Sequence, residues 1–511
     1  MIIQRARGRF PGGVVMPHRK RLSTHGKIES LPLPAQLILP LSQHLGAPAK
    51  SLVEPGQQVC KGELIAMPQG QISAAIHAPT SGVIHNIEPR PVPQPSGQNA
   101  MSIVLDADGH DRWRPRNPDP HPLEQPASRM VERLRRAGVA GLGGAVFPTH
   151  AKLARSVETL IINGAECEPY IACDEMLILE RAAEIIWGAM LLRHTLGARR
   201  CIIAVEDHRA ETRKALHQAL LDSGLDECID LRLVPSRYPE GGERQLIQVL
   251  TGWEVPAQGL PQDIGLLCLN VGTAAAAWRA IRYDEPLFSR VVTVTGPGIR
   301  RPGNFQVLLG TPIKELVAAC GGYTPQATRL VMGGPMMGLA LPHDDHPVVK
   351  ACNCVLVLSR SDVETMFPEM PCIRCMACVD CCPAGLLPQQ LFWHIQADKL
   401  QRARMLAVED CIECGCCAQV CPSHIPLVDY YRYAKSALAQ RDEAGRRADA
   451  ARHRFEQRSA RVNRAEQART ARLQRRDALL STSSSGDRKA EIAAAVARVR
   501  AQRKPVTDEK Q

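Results

Sequence analysis

The sequence predicts a multidomain α/β protein with a cysteine-rich domain in its last third and a charged tail. Its 511 residues are enough for several domains. Between residues 125 and 289, apolar runs typical of buried strands alternate with helical patterns, which indicates a parallel sheet flanked by helices. Two runs of four cysteines with the same spacing lie between residues 372 and 421. The cysteine runs are the most specific of these features.

The two cysteine runs share one spacing and one ending. They are Cys372-x2-Cys375-x2-Cys378-x3-Cys382-Pro383 and Cys411-x2-Cys414-x2-Cys417-x3-Cys421-Pro422. This spacing is typical of bacterial ferredoxins with two [4Fe–4S] clusters, in which each run gives three thiolates to one cluster and its fourth to the other. We therefore predict two crossed ligand sets. They are Cys372, Cys375 and Cys378 with Cys421, and Cys411, Cys414 and Cys417 with Cys382.

Zinc ribbons are the alternative interpretation of paired C-x2-C motifs, but two runs that both close with Cys-Pro favour clusters. Cys381 and Cys416 adjoin predicted ligands, and we interpret both as buried thiols because either could bind only from a strained loop. Between the runs, apolar residues follow helical spacing, so a helix is expected over 387–406. This long gap favours a helical ferredoxin-like domain, which we assign to residues 355–440.

Composition and charge distinguish the folded part of the chain from its tail. No apolar run reaches the length of a membrane span, and the first residues lack the apolar stretch of a signal peptide. We therefore expect a cytoplasmic protein whose 19 cysteines serve metal binding rather than disulfides. Residues 441–511 contain 19 Lys and Arg against 10 Asp and Glu, a net charge of +9 out of +11 for the whole chain.

The tail of residues 441–511 has little capacity to form a core. Phe455 is its one aromatic residue, and Ala, Arg, Glu and Gln dominate its composition. This composition predicts a basic, solvated helix followed by disorder. Attachment to anionic lipid is an alternative, whereas the near absence of aromatic side chains argues against nucleic-acid binding.

The first part of the chain predicts a small β domain. Residues 1–30 are basic and rich in Gly and Pro, and we expect them to pack against a later domain. Short β-like runs follow from about 35 to 110, and their pattern resembles the barrel-sandwich fold of biotinyl and lipoyl domains. The segment 66–77 contains no lysine, which disfavours a swinging-arm role. We assign residues 1–112 to this domain.

The middle of the chain predicts two further domains. After a Pro-rich linker at 111–127, the segments Thr159–Asn163 and Cys201–Val205 have the composition of buried strands and are separated by a long helical pattern. We assign residues 125–289 to a Rossmann-like α/β domain. Residues 290–350 are rich in β-branched residues and turn signals, and we assign them to a small β-grasp domain.

A glycine-rich loop lies near the start of the α/β domain. It reads Gly141-Leu142-Gly143-Gly144-Ala145-Val146-Phe147-Pro148-Thr149, and Lys152 follows. Glycines let backbone N–H groups approach a phosphate, and a lysine supplies positive charge. Taken alone, the loop fits a plain helix-capping loop about as well, because it matches neither the Walker A motif nor a regular Gly-x-Gly-x-x-Gly motif.

Three further segments follow the glycine loop. They are Asn163-Gly164-Ala165-Glu166-Cys167-Glu168-Pro169, Tyr238-Pro239-Glu240-Gly241-Gly242-Glu243 and Leu269-Asn270-Val271-Gly272-Thr273. In this order, the four segments resemble the flavin-binding subunit of respiratory NADH dehydrogenase. When the N-terminal barrel and the cysteine runs are included, residues 5–435 resemble the C subunit of the Rnf/Rsx electron transport complex.

This resemblance implies a site for FMN and NADH. The residues that would hold the FMN phosphate are Gly141, Gly143, Gly144 and Lys152. Those that would contact or line the flavin pocket are Asn163, Tyr238, Gly241 and Asn270. Those that would contact NADH are Phe147, Glu168 and Glu243. The chain departs from the respiratory protein at three pocket positions, which are Ala165, Gly242 and Leu269.

Together these features predict an enzyme, an oxidoreductase that belongs to a translocase. FMN would exchange hydride with NADH, and two [4Fe–4S] clusters would carry single electrons. The resemblance implies a peripheral subunit on the cytoplasmic side of the inner membrane, whose membrane partners pass electrons to or from ferredoxin with coupled ion movement. We assign no catalytic acid or base. The alternatives are the NADH-oxidising subunit of a soluble flavin–iron–sulfur enzyme, a flavin-free electron relay, and a nucleic-acid-binding iron–sulfur protein.

Overall fold

A five-stranded parallel sheet forms the centre of the α/β domain. The computed structural model describes residues 4–6, 8–363, 368–482 and 485–502. The strands, in spatial order, are Gln4–Arg5, Asp230–Val234, Arg200–Glu206, Thr159–Gly164 and Leu266–Asn270. All neighbours pair in parallel, and the strands Arg200–Glu206, Thr159–Gly164 and Leu266–Asn270 are largely buried apolar runs, as is typical of parallel sheets.

Helices pack on both faces of this sheet. Their bounds are Ala127–Arg136, Thr149–Lys152, Cys173–Leu196, Ala210–Ser223, Glu243–Thr251 and Val271–Arg282. The long helix Cys173–Leu196 leaves helical geometry at Arg181, where φ is −135° and ψ is 34°. It lies very close to the Ala-rich helix Val271–Arg282, since a Cβ on Gly188 would lie 2.0 Å from the carbonyl oxygen of Ala274.

The N-terminal β domain consists of two small antiparallel sheets. The strands of the first, in spatial order, are Gln36–Pro40, Asn99–Ala107, Gly82–Pro91 and Gln58–Val59. Those of the second are Lys50–Ser51, Leu64–Met67 and Ile76–His77. Their buried side chains form one core together with those of the β-grasp domain. The described residues of the N-terminal segment pack along the α/β domain instead, since Gln4–Arg5 joins the parallel sheet and Phe10 lies in the α/β core.

The β-grasp domain has a six-stranded mixed sheet and, among its described residues, two helices, Ile313–Ala319 and Arg360–Val363. The strands, in spatial order, are Leu339–Leu341, Ala327–Met332, Cys354–Ser359, Ser289–Thr295, Gly303–Leu308 and Glu29–Ser30. The sheet therefore extends beyond the predicted bounds of 290–350. The apolar run at Cys354–Ser359 pairs on both sides and is buried in this sheet, which separates it from the cysteine runs.

The cysteine-rich domain is helical, and the described residues 368–434 contain no strand. Its helices are Ala377–Asp380, Pro388–Gln396, Leu400–Met405, Cys416–Gln419 and the first turns of Leu427–Thr482. The helix expected over 387–406 is divided in two, because Asp398 adopts a left-handed conformation with φ of 50°. The described residues also contain four short 3-10 helices. They are Lys20–Leu22, Pro122–Glu124, Pro261–Ile264 and Val408–Asp410.

The chain divides into two units after Ala434. The second unit contains most of the 56-residue helix Leu427–Thr482 and the helix Ser485–Gln502, and its described side chains are almost all exposed. Where the sequence predicts disorder after the first helix of the tail, the structure has the helix Ser485–Gln502, and residues 503–511 lie outside the described residues. Among the helices of the described residues, none combines the length and apolar character needed to cross a membrane.

Candidate functional site

The glycine loop is closed on itself at the edge of the parallel sheet. Gly141 N donates a 2.9 Å hydrogen bond to the carbonyl oxygen of Phe147, and Leu142 N donates one of the same length to Thr273 Oγ1. Gly144 has φ of +110°, and apart from its chain neighbours no atom lies within 4 Å of where its Cβ would be. The loop therefore offers exposed backbone at Gly143 and Gly144, while Phe147 is half-buried.

Asn270 connects this loop to the end of the strand Leu266–Asn270. Its Oδ1 accepts a 2.8 Å hydrogen bond from Gly272 N and so caps the following helix, while its Nδ2 donates to Asp174 Oδ2 at 2.5 Å. A Cβ on Gly143 would lie 3.2 Å from that of Asn270. Burial, and then the Glu166 carboxylate, raise the pKa of Asp174 to about 7. A glycine loop next to a helix N-terminus is suited to binding an anion.

Asn163 connects the second and third predicted segments. Its Nδ2 donates a 2.9 Å hydrogen bond to the carbonyl oxygen of Gly241, and its Oδ1 accepts one of 3.0 Å from Ala165 N. Gly241 is required at this contact, because a Cβ there would lie 2.2 Å from the carbonyl oxygen of Ala165. Gly241 N in turn donates to Cys167 Sγ at 3.2 Å. The two segments therefore form one surface beside the glycine loop.

A cation and a carboxylate face each other in this cleft. Lys152 Nζ lies 3.2 Å from Glu243 Oε1 and 3.3 Å from the carbonyl oxygen of Cys268. Both side chains are partly accessible, at 26% for Lys152 and 39% for Glu243. Lys152 ends the short helix Thr149–Lys152, and Glu243 begins the helix Glu243–Thr251. The pair can therefore exchange partners when an anion enters.

Among the described residues, the Glu168 carboxylate hydrogen-bonds to the β-grasp domain rather than to Asn163, Lys152 or Glu243. Its Oε1 accepts two 2.9 Å hydrogen bonds, from Met336 N and Met337 N of the β-grasp domain. A Cβ on Gly334 would lie 2.3 Å from Glu168 Cγ, so the loop closes tightly over the carboxylate. Burial raises the pKa of Glu168, and the two amide donors act in the opposite direction. The structure thus places Glu168 beneath the β-grasp domain.

Tyr238 connects the cleft to the cysteine-rich domain. Its side chain is buried, and its hydroxyl donates a 2.7 Å hydrogen bond to the carbonyl oxygen of Cys414. Gln245 Nε2 donates to the carbonyl oxygen of Pro383 at 3.4 Å, a second contact between the two domains. Burial raises the pKa of Tyr238 far above its ordinary value, so the phenol stays protonated and remains a donor.

The eight predicted cluster ligands line two separate cavities. The outer cysteine cavity is lined by Cys372, Cys375, Cys378 and Cys421. The inner cysteine cavity is lined by Cys382, Cys411, Cys414 and Cys417. Cys381 and Cys416 line neither cavity. Four thiols around one cavity are the donor set of a [4Fe–4S] cluster, and the residues present therefore fit two such clusters.

The two cysteine loops repeat one backbone conformation. Arg374 and Glu413 both have left-handed φ values, 60° and 58°, and so do Met376 and Gly415, at 67° and 80°. Each pair occupies the same position in its run, so the loops curl in the same way around their thiols. The cavities differ in access, since Cys375 is exposed in the outer one whereas three of the four inner ligands are buried.

Sequence reasoning missed a buried ion pair beside the cleft. Lys20, 1% exposed, places Nζ 3.1 Å from Glu166 Oε2 and also donates to the Glu166 carbonyl oxygen. Glu166 Oε1 accepts a 3.0 Å hydrogen bond from Asp174 N at the start of the helix Cys173–Leu196. Glu166, Cys173 and Asp174 offer ligand atoms within 4.8 Å of one another, but Lys20 and helix amides already occupy the Glu166 carboxylate. We assign this group to helix capping rather than to a metal.

A second polar cavity lies between the helices Cys173–Leu196 and Val271–Arg282 and the β-grasp domain. Its lining includes Arg181, Arg279 and Arg290, and it contains none of the eleven predicted cofactor-binding residues. The predicted nucleotide-binding residues instead gather at the carboxyl ends of the strands Thr159–Gly164 and Leu266–Asn270, where α/β sheets commonly bind ligands. We take this region, which we call the cleft, as the candidate nucleotide site.

Four family models match successive parts of the chain. The "RnfC Barrel sandwich hybrid domain" matches residues 8–110, and the "Nuo51 FMN-binding domain" matches 134–279. The "SLBB domain" matches 291–340, and the "4Fe-4S dicluster domain" matches 371–425. The fold and the two sites thus define a multidomain protein of the electron-transfer class, in which an FMN-type α/β domain adjoins a dicluster iron–sulfur domain.

Curated relatives cover most of the chain, and each is named as the C subunit of an ion-translocating oxidoreductase complex. The protein of Pseudomonas aeruginosa is 45% identical over 90% of this chain and 60% of its own length. That of Pectobacterium carotovorum is 43% identical over 98% and 66%, and that of Yersinia pestis 43% over 91% and 74%. The chain belongs to this family of C subunits. It spans about two thirds of the length of the relatives that it matches.

Solved structures of an NAD+-reducing [NiFe]-hydrogenase are also similar to part of the chain. In the air-oxidized state the similarity is 17% identity with a TM-score of 0.45, over 62% of this chain and 65% of the other. In the H2-reduced state it is 21% with a TM-score of 0.43, over 63% and 64%. The family assignment rests on the sequence relatives. The sequence relatives and the family models confirm the predicted family, the fold class and the two cofactor classes, which are FMN and [4Fe–4S] clusters.

Proposed function

We propose that this chain exchanges hydride with NADH at FMN and passes single electrons through two [4Fe–4S] clusters. It acts as a peripheral subunit on the cytoplasmic side of the inner membrane, where membrane partners carry electrons to or from ferredoxin with coupled ion movement. The names of the relatives support the complex and the ion coupling. The FMN-type and dicluster domains support the two cofactors.

The cleft residues have separate roles in this proposal. Gly141, Gly143 and Gly144 present backbone to the FMN phosphate, and the Lys152 ammonium neutralises it. Since Lys152 pairs with Glu243 at 3.2 Å, a phosphate at Lys152 Nζ competes with that carboxylate. The released Glu243 is then available to NADH. Asn163, Gly241 and Asn270 line the flavin side of the cleft, Phe147 stacks on NADH, and Glu168 orients nicotinamide only if the Met336–Met337 loop opens.

FMN, when bound, converts between the two electrons of a hydride and the single electrons that clusters accept. The inner cysteine cavity would hold the cluster next to the cleft, with Cys382, Cys411, Cys414 and Cys417 as ligands. The outer cysteine cavity would hold the cluster that faces a partner, with Cys372, Cys375, Cys378 and Cys421 as ligands. Its rim is accessible, since Ile373 is 67% exposed.

One observation carries this proposal. The hydroxyl of Tyr238, in the loop that also supplies Gly241 and Glu243, lies 2.7 Å from the carbonyl oxygen of Cys414. A nucleotide cleft and a cluster cavity that share a buried hydrogen bond are arranged for electron transfer between them. The glycine loop and Lys152, at the same edge of the sheet, favour FMN binding over a flavin-free relay.

For the basic tail we propose that it contacts anionic lipid and that it does not bind nucleic acid. The charge excess supports the first, at about 1 kcal/mol for each basic residue near the membrane. Pairs such as Arg447 with Glu443, at 2.9 Å, weaken it. Sedimentation with vesicles that contain anionic lipid, with and without residues 441–511, tests it, and gel-shift titration with DNA tests the second.

Anaerobic purification followed by NADH titration tests the main proposal. We expect about eight irons, with matching sulfide, and one FMN per chain. NADH should bleach the flavin absorbance and then produce the paramagnetic signal of reduced clusters. Colourless protein, or protein whose only metal is zinc, contradicts the proposal. Clusters without flavin favour the relay instead.

A further inference from the structure

Three consecutive residues of the N-terminal segment contact the flavin-type cleft and the cysteine-rich domain at once. Gly13 N donates a 2.8 Å hydrogen bond to the carbonyl oxygen of Cys381, next to the predicted ligand Cys382. Val14 N donates to the carbonyl oxygen of Tyr238 at 2.8 Å, and Tyr238 N donates back to Val14 at 3.0 Å. Tyr238 itself contacts Cys414 through its hydroxyl. Gly12 to Val14, which we call the strap, therefore holds loops on two sides of the inner cysteine cavity.

The strap needs glycine at both of its first positions. Gly12 and Gly13 have φ values of +65° and +80°, which residues with a side chain adopt only with strain. A Cβ on Gly12 would lie 2.5 Å from the carbonyl carbon and oxygen of Cys381 and 2.6 Å from the carbonyl carbon of Cys382. A Cβ on Gly13 would lie 2.8 Å from the carbonyl oxygen of Tyr238. Any side chain here forces the strap and the cysteine loop apart.

The strap is anchored to the α/β domain on both sides. Before it, Phe10 is 6% exposed and packs in the core with Leu246 and Val249. After it, the carbonyl oxygen of His18 accepts a 2.8 Å hydrogen bond from Tyr170 N, and Lys20 forms its buried pair with Glu166. The α/β domain therefore fixes the strap, and the strap in turn fixes the cysteine loop.

We propose that Gly12, Gly13 and Val14 are positioning residues that set the separation between the flavin cleft and the inner cluster. This inference rests on the proposed function, because it assumes that electrons pass between FMN and the cluster held by Cys382 and Cys414. Electron transfer between two centres slows steeply as they move apart, so the contact distance controls the rate of this step. Hydride transfer from NADH takes place at the flavin, and the strap contacts the cleft only through the backbone of Tyr238, so we expect the strap to affect hydride transfer less than cluster reduction.

The test compares Gly12→Ala and Gly13→Ala with a matched control. Gly56→Ala introduces the same kind of backbone strain, since φ at Gly56 is +85°, but no atom outside its chain neighbours lies within 4 Å of the added Cβ. Iron and FMN are quantified first. Stopped-flow absorbance then follows flavin bleaching by NADH, and freeze-quench paramagnetic resonance follows cluster reduction in the same mixing series.

We expect the strap variants to slow cluster reduction by about tenfold or more, while flavin bleaching stays within about twofold of the unchanged chain. The Gly56→Ala control should leave both rates unchanged. Unchanged cluster reduction in strap variants that keep their iron overturns the inference. If flavin and cluster reduction slow by the same factor, the strap acts on folding or hydride transfer, and the inference is likewise wrong.

A milder variant decides the matter if the alanine variants lose iron. Arg237 is exposed, and its Nη2 donates a 3.3 Å hydrogen bond to the carbonyl oxygen of Gly13. Arg237→Ala loosens the strap without adding an atom, and we expect a few-fold slower cluster reduction with normal flavin bleaching. Equal rates in Arg237→Ala and the unchanged chain overturn the inference. Failure of NADH to bleach the flavin of the unchanged chain instead overturns the proposed function.

Discussion

The hydroxyl of Tyr238 donates a 2.7 Å hydrogen bond to the backbone carbonyl oxygen of Cys414, a residue 176 positions away in the sequence. Both groups are buried, so neither can exchange this partner for water. A buried hydrogen bond between two domains contributes only modestly to the free energy of folding. Removing one partner costs more, because the other is left buried without a hydrogen bond, so the bond holds the two domains in one relative position. Its loss should therefore be seen in electron transfer as well as in unfolding.

We predict that Tyr238→Phe destabilises the contact between the domains. The substitution leaves the Cys414 carbonyl oxygen buried without its donor, at a cost of roughly 1–3 kcal/mol. The apparent melting temperature should fall, and cluster reduction by NADH should slow more than flavin bleaching. Tyr433→Phe is the control, since Tyr433 is 56% exposed. Identical melting and cluster reduction in Tyr238→Phe and the control would show that the bond is unimportant.

The crossed ligand sets give a prediction that iron analysis can check. Cys375→Ala and Cys421→Ala should each remove the outer cluster, and the double variant should still keep about four irons. Cys382→Ala combined with Cys421→Ala should lose both clusters. If each cysteine run instead binds its own cluster, the first double variant loses both, and the crossed assignment is wrong.

We predict that Lys152→Met weakens FMN binding. Hydrogen bonds to charged groups contribute about 1.5–3 kcal/mol, so the affinity should fall by roughly tenfold to a hundredfold. Quenching of flavin fluorescence during titration of flavin-depleted protein measures the dissociation constant. Lys314→Met is the control, because Lys314 is an exposed lysine of the β-grasp domain, where it pairs with Asp345 at 2.9 Å. An unchanged dissociation constant would exclude Lys152 from the phosphate site.

Local sequence patterns predicted the elements and the cluster ligands, and the resemblance to a known family supplied the proposed cleft residues, while contacts between distant parts of the chain escaped both. The strand ends at Asn163 and Asn270 and the cavities of the two cysteine runs follow from short motifs, so the sequence predicted which residues lie together. The position of the Glu168 carboxylate depends instead on the amides of Met336 and Met337, which belong to another domain. Nothing in the local pattern identifies Lys20 as the partner of Glu166, 146 residues later.

The same limit explains the two differences in secondary structure. Helical spacing continues through 387–406, yet the left-handed Asp398 ends one helix and allows the next to begin. The apolar run Cys354–Ser359 adjoins the cysteine runs in sequence, but it completes the β-grasp sheet because its neighbours there pair on both sides. In each case packing across the fold decides between conformations that the local sequence permits.

Glu240 is a buried carboxyl group that the proposed mechanism does not use. It is fully buried, and neither of its carboxyl oxygens has a hydrogen-bond partner. Burial, and then the nearby Glu206, raise its pKa to about 8, with Asp207 acting in the same direction and Arg237 opposing them. Its ordinary pKa is 4.5. Between these two values the folded chain binds a proton that the unfolded chain has lost.

Stability should therefore fall as the pH rises from 4.5 to about 8, because the unfolded state binds fewer protons than the folded state in that window. Gln cannot ionise, so Glu240→Gln should match the unchanged chain below pH 4.5 and become progressively the more stable protein as the pH rises to about 8. The difference should grow by at most about 1.4 kcal/mol per pH unit and level off above that pH. Urea unfolding midpoints at several pH values measure the difference. The control is Glu227→Gln at an exposed position. If the urea midpoints of Glu240→Gln and of the unchanged chain change with pH in the same way, the pKa of Glu240 is not raised by burial and the prediction is wrong.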